Sequence, residues 1–256
     1  NRSTGSRDRL IVPGVIAVIP ARLESQRFPR KALADATGLP MIIHVAQQAA
    51  RSRSIDQIII ASDADEILDA ARQHGFEAAR TKADHVNGTS RIAEVSEGLD
   101  CTYVVNVQAD EPEIDPELID AAVEALASKQ DCQVGTIATP IAAADDPADR
   151  NLVKVVLDSH QRALYFSRAL IPHDRDGNRE SSPLRHVGLY VYRREFLAVY
   201  AGLTPTPAET AEKLEQLRIL EHGYRIALAI RSSEHQGIDT PEQYQAFVAR
   251  HRDQGD

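Results

Sequence analysis

The feature that most limits this chain is Gly14-Val-Ile-Ala-Val-Ile-Pro20, an unbroken apolar run rich in β-branched residues and closed by proline. A strand with no polar alternation must be buried on both faces, as in a sheet covered by helices on each side. The next segments keep that rhythm. Met41 to Arg51 has apolar residues at helical spacing, Gln57 to Ser62 is a second buried run, and the acidic stretch Asp63 to Glu66 opens another helix. Further alternation predicts a helix over 90–97, a strand over 102–107, a helix over 116–128 and a strand over 133–139. Such alternation predicts an α/β fold with a mixed, mostly parallel central sheet.

From Leu152 onward the pattern changes. Val153 to Leu157, Ala163 to Phe166 and His186 to Tyr192 read as strands with few helices between them, which predicts a smaller mixed-sheet lobe. Asp174 to Pro183, rich in charge, Gly and Ser, reads as a mobile surface loop; 205–220 reads as one helix with proline in its first turn, and 224–230 as a late strand. At 256 residues the chain is expected to form a single domain over 14–256 after a flexible tail over 1–13.

Charge narrows the partners. With 38 acidic against 29 basic residues, a net charge of −9, the chain is not expected to bind nucleic acid, which needs a basic surface. Cys101 and Cys132 form no CxxC or Cys/His cluster, and no apolar run reaches the length of a membrane span, so a reduced, cytoplasmic protein is expected.

Against that acidic background, Pro20 to Lys31 is exceptional: Arg22, Arg27, Arg30 and Lys31 crowd the loop after the first strand. Open α/β sheets bind ligands at that edge, and guanidinium and ammonium groups there can neutralise a triphosphate and a leaving pyrophosphate. The strand over 102–107 likewise runs into Gln108, Asp110 and Glu111. A carboxylate at that point is a natural Mg2+ ligand, whereas Asp115 is better placed to cap the following helix. Asp239, before Pro241, has helix capping as its ordinary role and becomes a metal ligand only if it meets Asp110. Gly88-Thr89 at a helix start, with Arg91 in the first turn, offers donors to an anionic ligand, and Arg185 and His186 are candidates to pair with a carboxylate.

Taken in order, these segments resemble the 3-deoxy-manno-octulosonate cytidylyltransferases, or CMP-Kdo synthetases. The resemblance rests on PARxxSxRxPxK at 20–31, KADHxxGTxR at 82–91, NVQxDEP at 106–112, VKVVLD at 153–158 and ALYFSRAxIPxDRD at 163–176. LRHxGLYxYR at 184–193, LEQLR at 214–218 and GIDTPE at 237–242 complete it.

The resemblance implies a Rossmann-like nucleotide-diphospho-sugar transferase fold, with nucleotide binding over about 14–150 and sugar binding and homodimerisation over about 151–235. It implies CTP on Arg22, Ser25 and Lys31, Mg2+ on Asp110 and Asp239, and an eight-carbon sugar acid among Gln108, Arg168, His186, Tyr190, Glu215 and Gln216, with Arg91 near either substrate. Lys31, Arg22, Asp110 and Asp239 would carry catalysis, and lipopolysaccharide precursor synthesis would consume the product.

Three positions depart from the family. Arg30 and Ala109 stand where glycine is common, and Ser90 where an acidic residue is common. Rival readings are a cytidylyltransferase for an 8-amino-Kdo or sialic-acid-like sugar, and a non-catalytic nucleotide-sugar-binding protein. A dinucleotide oxidoreductase is disfavoured, because no GxGxxG follows the first strand.

Overall fold

The computed structural model describes residues 14–25, 27–142, 145–177, 182–233 and 237–253. The tail predicted over 1–13 lies outside the described residues, as does the centre of the loop predicted over 174–183.

Strand β1 (Val15–Pro20) is buried along its whole length and lies between two parallel neighbours, β2 (Gln57–Ser62) and β4 (Tyr103–Asn106). β3 (Glu77–Arg80) extends the sheet beyond β2, and the full order is β3-β2-β1-β4-β8-β5-β9. β5 (Val134–Pro140) and β9 (Ile226–Ile230) are parallel to each other, whereas β8 (Leu184–Arg193) runs antiparallel to both β4 and β5. β8 is therefore the one reversed strand of that path. A hairpin of β6 (Lys154–Leu157) and β7 (Ala163–Ser167) joins the start of β8 through Lys154 and Val155.

The two-residue period of a strand divides the core. Val15, Ala17 and Ile19 face a layer made by α1 (Met41–Ala49), α2 (Asp65–Gln73) and α4 (Pro116–Ala127). Ile16 and Val18 face the opposite layer, built from α3 (Gly88–Ser96), α5 (Arg194–Ala201) and α7 (Gln216–Glu221). A sheet covered on both sides has no need of polar alternation, which accounts for the run at β1.

Two expectations are corrected. The helix over 205–220 is broken into α6 (Pro207–Glu212) and α7, because Lys213 adopts a left-handed backbone with φ 56° that ends the first helix. The strand over 186–192 is not part of a peripheral lobe but the middle of the main sheet; only the β6–β7 hairpin stands off it.

The last helix, α8 (Pro241–Asp253), docks through a small satellite core. Tyr244, Phe247 and Val248 pack with Met41 of α1, Ile238 and the partly buried Phe28. The Tyr244 hydroxyl accepts the Ala36 amide at 2.8 Å. This cluster ties the 27–31 loop to the 237–239 segment. Phe247 is buried, so Phe247→Ala is expected to lower unfolding free energy by about 3 kcal/mol in urea titration; a loss below about 1 kcal/mol would show that α8 is not seated as described.

Candidate active site

Parallel strands deliver their following loops to one edge. The loops after β1 and β4, together with the segment before α8, meet there around Lys31. Its Nζ donates to Asp110 Oδ2 at 3.0 Å, to the Ile238 carbonyl at 2.7 Å and to Asp239 Oδ1 at 3.4 Å. The Ile238 amide donates back to the Asp110 carbonyl at 2.7 Å, so a backbone link holds the two carboxylate-bearing segments together. Arg27, expected only as one of the loop's phosphate-neutralising cations, pairs with Asp239 Oδ1 at 3.0 Å.

Both aspartates are spared helix capping. Asp115 caps α4 by accepting the Glu117 amide at 2.9 Å, and Thr240 accepts the Gln243 amide at 3.3 Å at the start of α8. Gln243 Oε1 in turn accepts the Asp239 and Thr240 amides. Asp239 therefore keeps its side chain for the Lys31 cluster.

A cleft of about 250 Å³ opens beside Lys31. Six predicted residues line it: Arg22, Ser25, Lys31, Arg91, Gln108 and Asp110, with Ala109 between the last two. Two larger depressions, about 590 and 810 Å³, lie away from this edge: one at the amino ends of β4 and β5, the other against α4 and β9.

Arg22 donates to the His85 carbonyl at 2.5 Å, which ties the first loop to the 82–88 loop. Gly88 lies close enough to Pro20 that an added Cβ would stand 3.2 Å from Pro20 Cγ, so glycine lets the start of α3 approach the end of β1. Asn87 caps α3 by accepting the Ser90 amide at 2.8 Å. Arg91 is almost fully buried; it contacts Asp63 Oδ1 at 2.8 Å and hydrogen-bonds Thr81 Oγ1, and its Nε has no partner among the described residues.

Arg30 does not supply a cation to the cleft. Its backbone is left-handed at φ 57°, a conformation that glycine adopts without strain, and its side chain pairs with Glu66 of α2.

A second cluster adjoins the cleft along β8. His186, Tyr190 and Tyr192 share one face, with ring centroids 5.2 and 6.0 Å apart, and Tyr190 lies opposite Asn106 of β4. Asn106 in turn accepts from Gln108 Nε2 at 3.2 Å. Glu215 reaches this cluster from the break between α6 and α7, accepting from Thr89 Oγ1 at 3.3 Å and from the Tyr200 hydroxyl at 3.4 Å. Thr89 belongs to the Gly88-Thr89 helix start already singled out in the sequence, whereas Asn106, Tyr192 and Tyr200 fall inside elements that read as core and carry no signal there.

Burial shifts this cluster toward neutral forms. The Tyr190 phenol is pushed well above its usual pKa, and burial raises Glu215 against the lowering effect of the Thr89 hydrogen bond. Burial pushes His186 down to about 3. The Thr136 hydroxyl donates to the Leu189 carbonyl at 2.6 Å, so it accepts from His186 Nε2 at 2.9 Å. That assignment leaves His186 Nδ1 as an acceptor in a neutral ring, suited to a ligand hydroxyl and unsuited to general-base catalysis.

Gln216 is buried at the start of α7. Arg168, just after β7, donates from Nε to the Glu212 carbonyl at 2.8 Å and from Nη1 to the Arg150 carbonyl at 3.0 Å. Arg185 donates to the Ser233 carbonyl at 3.0 Å.

No group of three or more metal-ligating side chains occurs among the described residues. The pair Asp110 and Asp239 nevertheless fits Mg2+, since both carboxylates already converge on one cation, the Lys31 ammonium. Mg2+ is commonly held by one or two carboxylates, with phosphate and water oxygens completing its shell.

At this sheet edge Arg22 and Lys31 stand beside Asp110, with Asp239 on the same ammonium, next to a polar cluster on β8, and the class is that of a nucleotidyltransferase. The cytidylyltransferase family model matches residues 16–226. The structure of a CMP:2-keto-3-deoxy-manno-octonic acid synthetase complexed with CTP is 35% identical, covers 94% of this chain and 99% of its own, and superposes with a TM-score of 0.90. The chain belongs to the cytidylyltransferase family and, within it, to the CMP-Kdo synthetases. The inositol-1-phosphate CTP transferase from T. maritima shares the fold at 10% identity, with a TM-score of 0.64 over 93% of this chain and 96% of its own. The 4-diphosphocytidyl-2C-methyl-D-erythritol synthase from Anaerococcus prevotii does so at 15% identity, with a TM-score of 0.59 over the same shares, 93% and 96%.

The His186 shift predicts a pH effect. Its folded pKa lies below the unfolded value of 6.5, so its contribution to stability is complete above pH 6.5 and declines as the pH falls toward 3. The stability advantage of the wild type over His186→Gln should shrink by up to about 1.4 kcal/mol per pH unit below 6.5. Parallel urea-derived stability profiles from pH 7 to 4.5 would refute the shift.

Proposed function

We propose that the protein transfers CMP from CTP to the anomeric hydroxyl of 3-deoxy-D-manno-octulosonate, releasing pyrophosphate. The observation that supports this reading most strongly is the convergence of Asp110 and Asp239 on Lys31 beside a cleft lined by Arg22, Ser25, Arg91 and Gln108. Arg22, Ser25 and Lys31 bind and orient the triphosphate, and the two cationic groups stabilise charge on the departing pyrophosphate. Asp110 and Asp239 would hold Mg2+, which would supply charge neutralisation and lower the pKa of the attacking hydroxyl. The sugar acid lies against Gln108, Tyr190, Glu215 and Gln216, with its carboxylate toward Arg168 and a hydroxyl toward His186 Nδ1. Catalysis then consists of positioning and charge neutralisation, with no histidine base required.

The same reading assigns nucleotide binding to about 14–150 and sugar binding to about 151–235. Homodimerisation is proposed through the β6–β7 hairpin, where Leu164 and Tyr165 are exposed. No described helix is long and apolar enough to cross a membrane. A cytoplasmic role in lipopolysaccharide precursor synthesis belongs to this proposal.

Asp110→Asn and Asp239→Asn should each cut turnover by at least about a hundredfold, with unchanged melting curves. Pyrophosphate release near the wild-type rate would remove that residue from the metal site. Lys31→Ala should raise the KM for CTP at least about tenfold, and unaltered CTP kinetics would sink the phosphate-loop assignment. In a panel of sugar acids, Kdo should give the highest kcat/KM for pyrophosphate release; preference for 8-amino-Kdo or a sialic acid would replace it as the substrate.

A further inference from the structure

Lys154, the first residue of β6, has none of its surface exposed. An ammonium taken out of water is costly unless its charge is compensated, and a buried lysine ordinarily meets a carboxylate. Here the Nζ lies within hydrogen-bond reach of three backbone carbonyls: Asp149 at 2.8 Å, Leu152 at 2.6 Å and Arg168 at 2.6 Å. These carbonyls use all three of its protons.

What they hold in common is Arg168. Lys154 grips the Arg168 carbonyl directly, and Glu212 Oε2 accepts the Arg168 amide at 2.9 Å, so the backbone is fixed on both sides of that residue. Lys154 also grips the 149–152 turn, and that turn presents the Arg150 carbonyl that accepts from Arg168 Nη1 at 3.0 Å. Lys154 thus shares with Glu212 the hold on Arg168: it fixes the carbonyl and, through the 149–152 turn, the Nη1 end of the guanidinium, while Glu212 takes the amide and Nε. Arg168 Nη2 has no protein partner among the described residues and is left for a ligand. A methionine of similar length would fill the same space and hold none of the carbonyls.

We propose that Lys154 is a positioning residue for the sugar-acid site, holding the Arg168 guanidinium where a substrate carboxylate can meet it. The inference rests on the reading that Arg168 receives the sugar acid. It separates the two substrates: Lys154 has no contact with Arg22, Lys31, Asp110 or Asp239, so its loss should fall on the sugar acid alone.

The test is steady-state pyrophosphate release by the full chain with each substrate varied in turn. Lys154→Met should raise the KM for Kdo about tenfold, leaving the KM for CTP unchanged and kcat within about threefold. Arg168→Ala, the reference, should raise the KM for Kdo at least as far, and Lys154→Met/Arg168→Ala should be no worse than Arg168→Ala alone. If Arg168→Ala leaves the KM for Kdo unaltered, the sugar-site reading is wrong and the inference falls with it. If Arg168→Ala raises that KM and folded Lys154→Met does not, or if the two effects multiply in the double variant, the positioning role alone is overturned. Should Lys154→Met fail to fold, Lys154→Gln, which keeps two donors, decides with a smaller rise confined to Kdo. Collapse of both variants, or an equal loss for both substrates, would assign Lys154 to folding and overturn the proposal.

Discussion

The Lys31 ammonium stands where three distant parts of the chain meet: the loop after β1, the loop after β4 and the segment before α8. Two carboxylates brought this close repel each other, and in a partly buried site that repulsion must be offset by a cation. Lys31 supplies it. The surrounding structure serves this meeting: parallel strands deliver two of the loops to one edge, and the satellite core of Phe28, Ile238, Tyr244 and Phe247 brings the third. The same cation lies next to the cleft where the phosphates of a nucleotide would be neutralised.

The reversed strand completes the site. Because β8 runs against β4 and β5, its stretch from Arg185 through His186 to Tyr190 lies at the edge where the parallel strands end. Residues far later in the chain thereby become neighbours of Asn106 and Gln108. The break at Lys213 lets Glu215 turn inward to Thr89, which a continuous helix would have placed by helical spacing alone. A cationic edge and a largely neutral polar cluster thus sit side by side.

Much of this was legible in the residues. β1 and β2 could be read from uninterrupted apolar runs, and Asp110 could be separated from Asp115 by its distance from the helix it might have capped. β3, with the sequence Glu-Ala-Ala-Arg and an exposed edge, carries no β-branched residue to announce it. α5 begins directly after β8 with no Gly, Pro or side-chain cap at the boundary. Nothing in the type of residue at Lys213 demands a left-handed backbone, so the break there depends on tertiary packing. The role of Arg27 and the release of Asp239 by the Thr240–Gln243 cap became visible only once the segments met. The Arg30 backbone accounts for a position where glycine is common: the site needs its conformation, and the side chain leaves toward Glu66.

The central claim is that Asp110 and Asp239 together form one cation site that acts on a bound nucleotide. Electron paramagnetic resonance titration of Mn2+ into the protein saturated with CTP tests it without relying on turnover. The account predicts one tight, CTP-dependent Mn2+ site in the wild type, weakened at least about tenfold in both Asp110→Asn and Asp239→Asn. Equal Mn2+ affinity in the wild type and both variants would contradict it.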